Sequence, residues 1–284
     1  MTISKFFLIL LQSGHPRDRL GEVNFRVLRR VQKKLDQFIR TRPEATEIDV
    51  WLESPGGDAH IAYRLFLDLQ HRCRSLRVVI PDFAKSAATL LTLGMDEIYM
   101  APSAELGPLD AQIEHPDREG VTVSALDVSK ALGFLGDFAL DYIVKGGNSV
   151  LQSTGLSRAE VLREFSRFSA RFLEPAVTKL DPHLVHRASK QLAVAHHYAK
   201  KMLGLRRLSD EERKRKCDAD EIVRHLVEDY PAHECVISRD EARDLPLPVQ
   251  DAEDYAQWDI AKEFWNLSTK ESFRRTSPPR LSIY

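Results

Sequence analysis

An α/β fold with a parallel sheet is the class this sequence predicts. Three observations predict it. Short apolar runs alternate with helix-period stretches in the N-terminal part of the chain. Successive runs are joined through helical stretches, the pattern of right-handed crossovers between parallel strands. Two of the runs, Ile48-Asp49-Val50-Trp51-Leu52 and Leu76-Arg77-Val78-Val79-Ile80, lead into small-residue turns that open into helices.

The elements follow in order. Phe6-Phe7-Leu8-Ile9-Leu10-Leu11 heads a strand over 6–12. A signal peptide's apolar region runs to about 7–15 residues and ends at small residues. This run is followed instead by Gln12-Ser13-Gly14-His15-Pro16, which is turn chemistry, so a buried first strand is expected. Leu20, Val23, Phe25, Val27, Leu28, Val31, Leu35 and Phe38 supply the apolar face of a helix over about 18–40, and Arg42-Pro43 ends it. A strand at 48–52 places Trp51 in the core. A helix from Ala59 to about His71, a strand at 76–80, a helix from Ser86 to about Gly94 and a strand at 96–100 complete this part.

After Asp110 the character changes. Residues 111–122 are polar and read as a loop. Ser124 to about Leu205 is mostly helical, with breaks expected near Gly146-Gly147, Gly155 and Asp181-Pro182. Ser157 and Glu160 have capping-box spacing. Ser209-Asp210-Glu211-Glu212 is a second helix start, and Arg213-Lys214-Arg215-Lys216 behind it reads as a solvated helix face because acids flank it. Phe165, Phe168 and Phe172 form a stripe on one helix face, the pattern of a core contact. The expected division is a core at 1–123, a mainly helical extension at 124–258 and a loosely ordered tail at 259–284.

Composition narrows the function. The 284 residues are 43% hydrophobic and 29% charged, with 41 basic against 42 acidic residues, so bulk charge does not mark a nucleic-acid binder. Cys73, Cys217 and Cys235 are odd in number and widely spaced, which suits neither a disulfide framework nor a zinc site and fits a reduced, cytoplasmic setting. No stretch approaches the ~20 apolar residues of a membrane span. His183 and His186, and the pair His196-His197, lack an accompanying acid or cysteine cluster, so no metal is expected. His233 reads first as a turn residue.

The two turns carry the chemistry. In Glu53-Ser54-Pro55-Gly56-Gly57-Asp58, adjacent glycines let backbone amides approach an anion closely. In Ala84-Lys85-Ser86-Ala87-Ala88-Thr89, a serine stands at a helix start, where orphan amides favour negative charge. Alone, Ser86 reads as a helix N-cap. With the Gly-Gly turn before it, it reads as a nucleophile beside donors for a tetrahedral oxyanion.

Together with Leu106-Gly107-Pro108-Leu109-Asp110, these segments resemble the Clp-protease/crotonase fold, built of repeated ββα units. Within it they are similar to the serine dehydrogenase proteinases, a branch of the signal-peptide peptidase A-like proteases. Tyr230-Pro231-Ala232-His233 and Ile237-Ser238-Arg239-Asp240-Glu241-Ala242 resemble that branch's C-terminal region. The resemblance is strong over 48–115, weaker over 220–250 and absent from the last thirty residues.

The resemblance implies Ser86 as nucleophile and the Gly57 and Ala87 amides as the oxyanion hole, with Gly56 closing the turn. Ala88 stands where the family usually has glycine. Clp-type proteases hold a histidine about 25 residues after the serine, and this chain has none there. The peptidase A-like members use a serine-lysine dyad, and Lys130, 44 residues after Ser86, matches that spacing best. Its apolar flanks suit a desolvated amine with a lowered pKa. His115 and Lys85 remain alternative bases. The expected function is peptide hydrolysis through a Ser86 acyl-enzyme, without cofactor or metal, on a peptide or protein substrate. A homo-oligomer built partly through residues 125–205 is expected. The alternatives are an inactive scaffold or interaction protein on a protease fold and, behind it, an acyl-CoA hydratase or isomerase.

Overall fold

The computed structural model describes residues 6–11, 22–41, 47–116, 118–207 and 219–263. The expected turn at 12–16, the helix end at Arg42-Pro43, the start at Ser209, the basic tetrad at 213–216, Cys217 and residues 264–284 lie outside them. The described chain groups into two compact units, residues 1–110 with 193–284 and residues 111–192.

The first unit holds a five-stranded parallel sheet. Its strands are β1 (Phe6–Leu11), β2 (Glu47–Leu52), β3 (Ser75–Ile80), β5 (Glu97–Met100) and β10 (Val249–Asp251), in the spatial order β1-β2-β3-β5-β10. Helix α1 (Phe25–Thr41) connects β1 to β2, and α2 (Ala59–Gln70) connects β2 to β3. Between β3 and β5 run a two-residue strand β4 (Phe83–Ala84) and helix α3 (Ala87–Leu93). The predicted α/β class with a parallel sheet is the observed one. Asp58 caps α2, its carboxylate accepting from the His60 and Ile61 amides at 2.7 and 3.3 Å. Ile61, Ala62, Leu65, Phe66 and Leu69 form the buried stripe of α2, and all of α3 is buried.

A second row of short strands runs beside the main sheet. β4 pairs in parallel with β6 (Glu105–Leu106), which pairs antiparallel with β9 (Ile237–Ser238). Ser54 joins the row through a parallel bridge to Ala84. Main strands β2, β3 and β5 are therefore each followed, within a few residues, by a position in this row: Ser54, Ala84 and Leu106. That is a repeated strand-short strand-helix unit, and the row sets the register of the turns beyond it.

Asp49, fully buried on β2, is satisfied from two sides. Arg77 of β3 donates to both its oxygens, at 2.6 and 3.1 Å, and the Tyr255 hydroxyl donates at 2.7 Å. Trp51 is buried as expected and stacks on Trp258 at 5.4 Å. Residues 258–263, at the start of the expected loose tail, are helical, and Trp258 and Ala261 are buried.

Helix α1 begins at Phe25, later than the expected 18 among the residues described. Asn24 accepts from the Arg26 and Val27 amides and caps it, while Val23 leaves the helical face to bridge Gly57.

The second unit opens with a hairpin, β7 (Gln112–Glu114) and β8 (Thr122–Ser124), where a loop was expected. Ile113 anchors it against Ala125 and Ala188. Helix α4 (Ala125–Ser153) follows, then α5 (Arg158–Val177), whose Ser157–Glu160 capping box is present, and residues 182–192 of α6 (Pro182–Leu205), the rest of which belongs to the first unit. The expected break at Gly146-Gly147 is absent, since α4 runs straight through both. A Cβ on Gly146 would stand 2.5 Å from the Phe165 ring, so this glycine serves close helix packing and not termination. The phenylalanine stripe is also unlike the expected core: Phe168 and Phe172 are 49% and 59% exposed.

Candidate active site

The row Ser54–Ala84–Leu106 positions the site. Ser54 donates its amide to the Phe83 carbonyl, and the Lys85 amide donates back to the Ser54 carbonyl. Two residues beyond each paired position stand Gly56 and Ser86, and the register carries them together. A Cβ on Gly56 would lie 2.7 Å from the Lys85 carbonyl oxygen and 2.8 Å from Ser86 Cβ. Gly56 has φ 108° and Gly57 φ 139°, so glycine is required at both for conformation as well as space.

Ser86 has φ 50° and ψ −116° and is the one non-glycine residue with positive φ among those described. Such a conformation costs about 1–3 kcal/mol and persists where surrounding structure enforces it. Enforcement is visible. The Thr89 hydroxyl, fully buried, donates to the Ala84 carbonyl at 2.7 Å and accepts from the Gly107 amide at 3.1 Å. Ser86 occupies the N-cap position of α3, yet its side chain makes no capping hydrogen bond. The hydroxyl is half-buried and is not used by the helix it precedes.

The amides divide clearly. The Gly56 N–H donates to the Ser54 hydroxyl at 3.2 Å. The bridge to Val23 uses the Gly56 carbonyl and the Asp58 amide. No hydrogen bond from the Gly57 or Ala87 amide is present among the described residues. Two backbone donors, one on each turn, are thus left over beside the strained serine, the arrangement that can hold an oxyanion.

Of the three candidate bases, Lys85 alone lies in the same packing unit as Ser86. Its ammonium stands 2.7 Å from Glu105 Oε1 and donates to the Leu106 carbonyl at 3.2 Å, with 14% of the side chain exposed. Lys130 lies in the second unit, on an exposed position of α4, where the desolvation expected of it is absent. His115 is half-buried in the second unit, in the turn of the β7–β8 hairpin, its amide bonded to the Val121 carbonyl.

A fourth group was not singled out from the sequence. Helix α7 (Ala219–Arg224) passes into a π-turn, His225–Asp229. His225 Nδ1 is 2.9 Å from Asp229 Oδ2, and the Tyr230 hydroxyl is 3.3 Å from Nε2. The same hydroxyl donates to Glu241 at 2.7 Å, and burial together with that carboxylate pushes the Tyr230 pKa upward. The Leu226 carbonyl accepts from the Leu109 amide at 2.8 Å, and Leu109 follows Gly107, which packs on Lys85. Only the i, i+4 spacing of His225 and Asp229 could have signalled this pair. Among the described residues no His, Cys, Asp and Glu cluster could hold a metal, and no helix is long and apolar enough to cross a membrane.

Comparison with known proteins bears on the same segment. Residues 21–129 match the family model described as ClpP-like SDH-type serine proteinase. Two uncharacterized proteins of Methanocaldococcus jannaschii, MJ1495 and MJ0137, are 39% and 36% identical over 75 residues. Each match covers 26% of this chain and 26% of the relative, so it spans about a quarter of the length of either archaeal protein. Among solved structures, a mutant of the 1510-N membrane-bound stomatin-specific protease is similar at 19% identity and a TM-score of 0.31, over 51% of this chain and 64% of that one.

Proposed function

We propose, from the match of residues 21–129 to the family model described as ClpP-like SDH-type serine proteinase, that this chain is a serine peptidase with Ser86 as its nucleophile. The observation that carries the reading is Ser86 itself: a non-glycine residue at φ 50°, beside Gly56, whose hydroxyl does not cap its own helix.

In this reading Ser86 Oγ attacks the carbonyl carbon of a peptide bond. The oxygen that gains charge is held by the Gly57 and Ala87 amides, and Gly56 provides the close approach. A base takes the hydroxyl proton and passes it to the departing amine as the C–N bond breaks. Water then hydrolyses the Ser86 ester by the same route in reverse. A lysine base, Lys130, is the assignment that spacing supports. His225, oriented by Asp229 at 2.9 Å and in the same packing unit as Ser86, is the second assignment. No cofactor enters either version. The substrate class is peptide or protein.

The alternatives are an inactive scaffold on the same fold and, behind it, an acyl-CoA hydratase or isomerase. The discriminating experiment is labelling with a fluorophosphonate probe, mapped by mass spectrometry. A single adduct on Ser86, absent in Ser86→Ala, supports the peptidase. No adduct under conditions that label a control serine protease rejects it in favour of the scaffold.

A further inference from the structure

We propose that the main chain of Val23 is the positioning element of the oxyanion site: it grips the turn on both sides of Gly57 and keeps the Gly57 N–H open to a substrate oxygen. The inference rests on the reading of Gly57 and Ala87 as oxyanion donors and adds what holds the first of them. Val23 stands just before Asn24, the cap of α1, and forms a parallel bridge with Gly57. Its N–H donates to the Gly56 carbonyl at 2.6 Å, the shortest hydrogen bond of the turn among the described residues. Its carbonyl accepts from the Asp58 N–H at 2.9 Å.

A trans peptide unit is rigid and planar, and its C=O and N–H point in opposite directions. The Gly56 carbonyl and the Gly57 N–H belong to one such unit. A bond that fixes the carbonyl on Val23 therefore turns the N–H away from Val23. The Gly57 carbonyl and the Asp58 N–H belong to the next unit, which the second bond fixes. Two bonds from one residue thus hold both planes about Gly57. Glycine is where such control matters most, because without it the plane can turn at little steric cost. The other donor is aimed by its own helix. The Ser86 carbonyl accepts from the Leu90 N–H at 2.9 Å, so the Ala87 N–H of the same unit points out from the start of α3.

The grip is built into the fold. Val23 is 1% exposed, and Asn24 accepts from the Arg26 and Val27 amides, so the residue is seated in the core and tied to α1. A Cβ on Gly57 would stand 2.5 Å from the Val23 carbonyl oxygen and 2.9 Å from its nitrogen. The second glycine of the turn is thus demanded by the approach of Val23 as well as by its φ of 139°. The Ser54 hydroxyl lies 3.5 Å from the Gly56 carbonyl oxygen, long against the usual range of about 2.5–3.0 Å for an O–H···O bond, so it does not stand in for Val23.

The test removes the Val23 N–H from the full chain. Val23→Pro deletes it but also restrains φ, so the decisive variant carries the α-hydroxy analogue of valine at position 23. That analogue has an ester oxygen where the N–H was and keeps the side chain. Its kcat on a peptide substrate should fall by about 10–10³, the upper figure being the cost of losing one oxyanion donor outright, with KM little changed. Val31→Ala, a truncation on the buried face of α1, also loosens the fold and should leave kcat near wild type, which separates positioning from stability. A crystal structure of the analogue gives a readout apart from activity: the Gly56–Gly57 peptide plane should be rotated from its wild-type orientation. A full-rate analogue overturns the proposal, and so does an unmoved plane. If the wild type neither hydrolyses peptides nor takes up a fluorophosphonate, the peptidase reading fails and the plane alone decides. A rotated plane then supports the Val23 grip, and an unmoved one rejects it.

Discussion

Gly56 and Ser86 are packed so closely that a methyl group on the glycine would stand 2.8 Å from the serine Cβ. The first prediction follows from that distance. Gly56→Ala must both accept φ 108° and push the Ser86 turn away, so it should cost about 2–4 kcal/mol by urea titration and abolish probe labelling. Ser86→Gly and Ser86→Ala both remove the hydroxyl, but only glycine relaxes at φ 50°. Ser86→Gly should therefore be the more stable by about 1 kcal/mol. Equal stabilities would mean that the turn is not strained.

The base is the second point. Removing a general base costs about 10²–10⁴ in rate. If the lysine assignment holds, Lys130→Ala loses that much in peptide hydrolysis while His225→Ala stays near wild type. If the histidine assignment holds, the order inverts and Asp229→Asn follows His225→Ala. Steady-state rates of the four proteins on one peptide substrate separate the cases, and full activity in all of them rejects both.

Asp49 gives a stability prediction. It sits in the sheet with no exposure, held by Arg77 and Tyr255. Asp49→Ala leaves the Arg77 guanidinium without its main partner and should cost about 3–5 kcal/mol. Tyr255→Phe removes one hydrogen bond to a carboxylate and should cost about 1–3 kcal/mol. The double variant should cost less than the sum, because both act on the same carboxylate. Strict additivity in denaturation experiments would show the two contacts to be independent.

Much of this arrangement was legible, and the reasons for the remainder are physical. Strands β2 and β3 announce themselves because they are largely buried and read as apolar runs, 48–52 and 76–80, each interrupted by one charged residue, Asp49 or Arg77. The turns at Gly56 and Ser86 are legible as a pair, since a Gly-Gly turn and a helix-start serine follow successive strands, whereas Ser86 alone reads as a helix N-cap. The short row at Ser54, Ala84 and Leu106 is not, because two residues carry no periodicity. Asp49 looks misplaced in its strand until Arg77 and Tyr255 are seen, and Tyr255 is 206 residues away. Gly146-Gly147 reads as a helix end by composition, and only the ring of Phe165 shows that it serves packing. For the same reason the phenylalanine stripe reads as core: periodicity reports an apolar face and not what covers it.

Cys73 supplies a prediction in pH. Burial, opposed in part by Arg207, pushes its thiol up to about 11. A folded pKa above the ordinary value of 9.0 means that the fold favours the neutral thiol. The stability from this group is then complete below about pH 9 and fades as pH rises toward 11. Alkylation of Cys73 by iodoacetamide, followed by peptide mass mapping, should show a midpoint near 11. In urea the midpoint should fall back to about 9, the value for an unhindered thiol.

The last prediction concerns α4 itself. At Gly146 the helix gives up the propensity of a better helix former, about 1 kcal/mol relative to alanine, in exchange for close approach by α5. A Cβ there would meet Phe165 Cε1 at 2.5 Å, far inside van der Waals contact. The two effects oppose one another, and their sizes predict the sign. Propensity favours Gly146→Ala by about 1 kcal/mol, whereas displacing a packed ring costs about 1–3 kcal/mol. Gly146→Ala should thus destabilise the chain slightly, and Gly146→Val clearly. Gly133 is the control: it lies on the same helix with nothing within 4 Å of a Cβ, so Gly133→Ala carries only the propensity gain and should stabilise. Thermal melts of the two alanine variants should move in opposite directions. A rise in both would show that Phe165 swings aside at little cost.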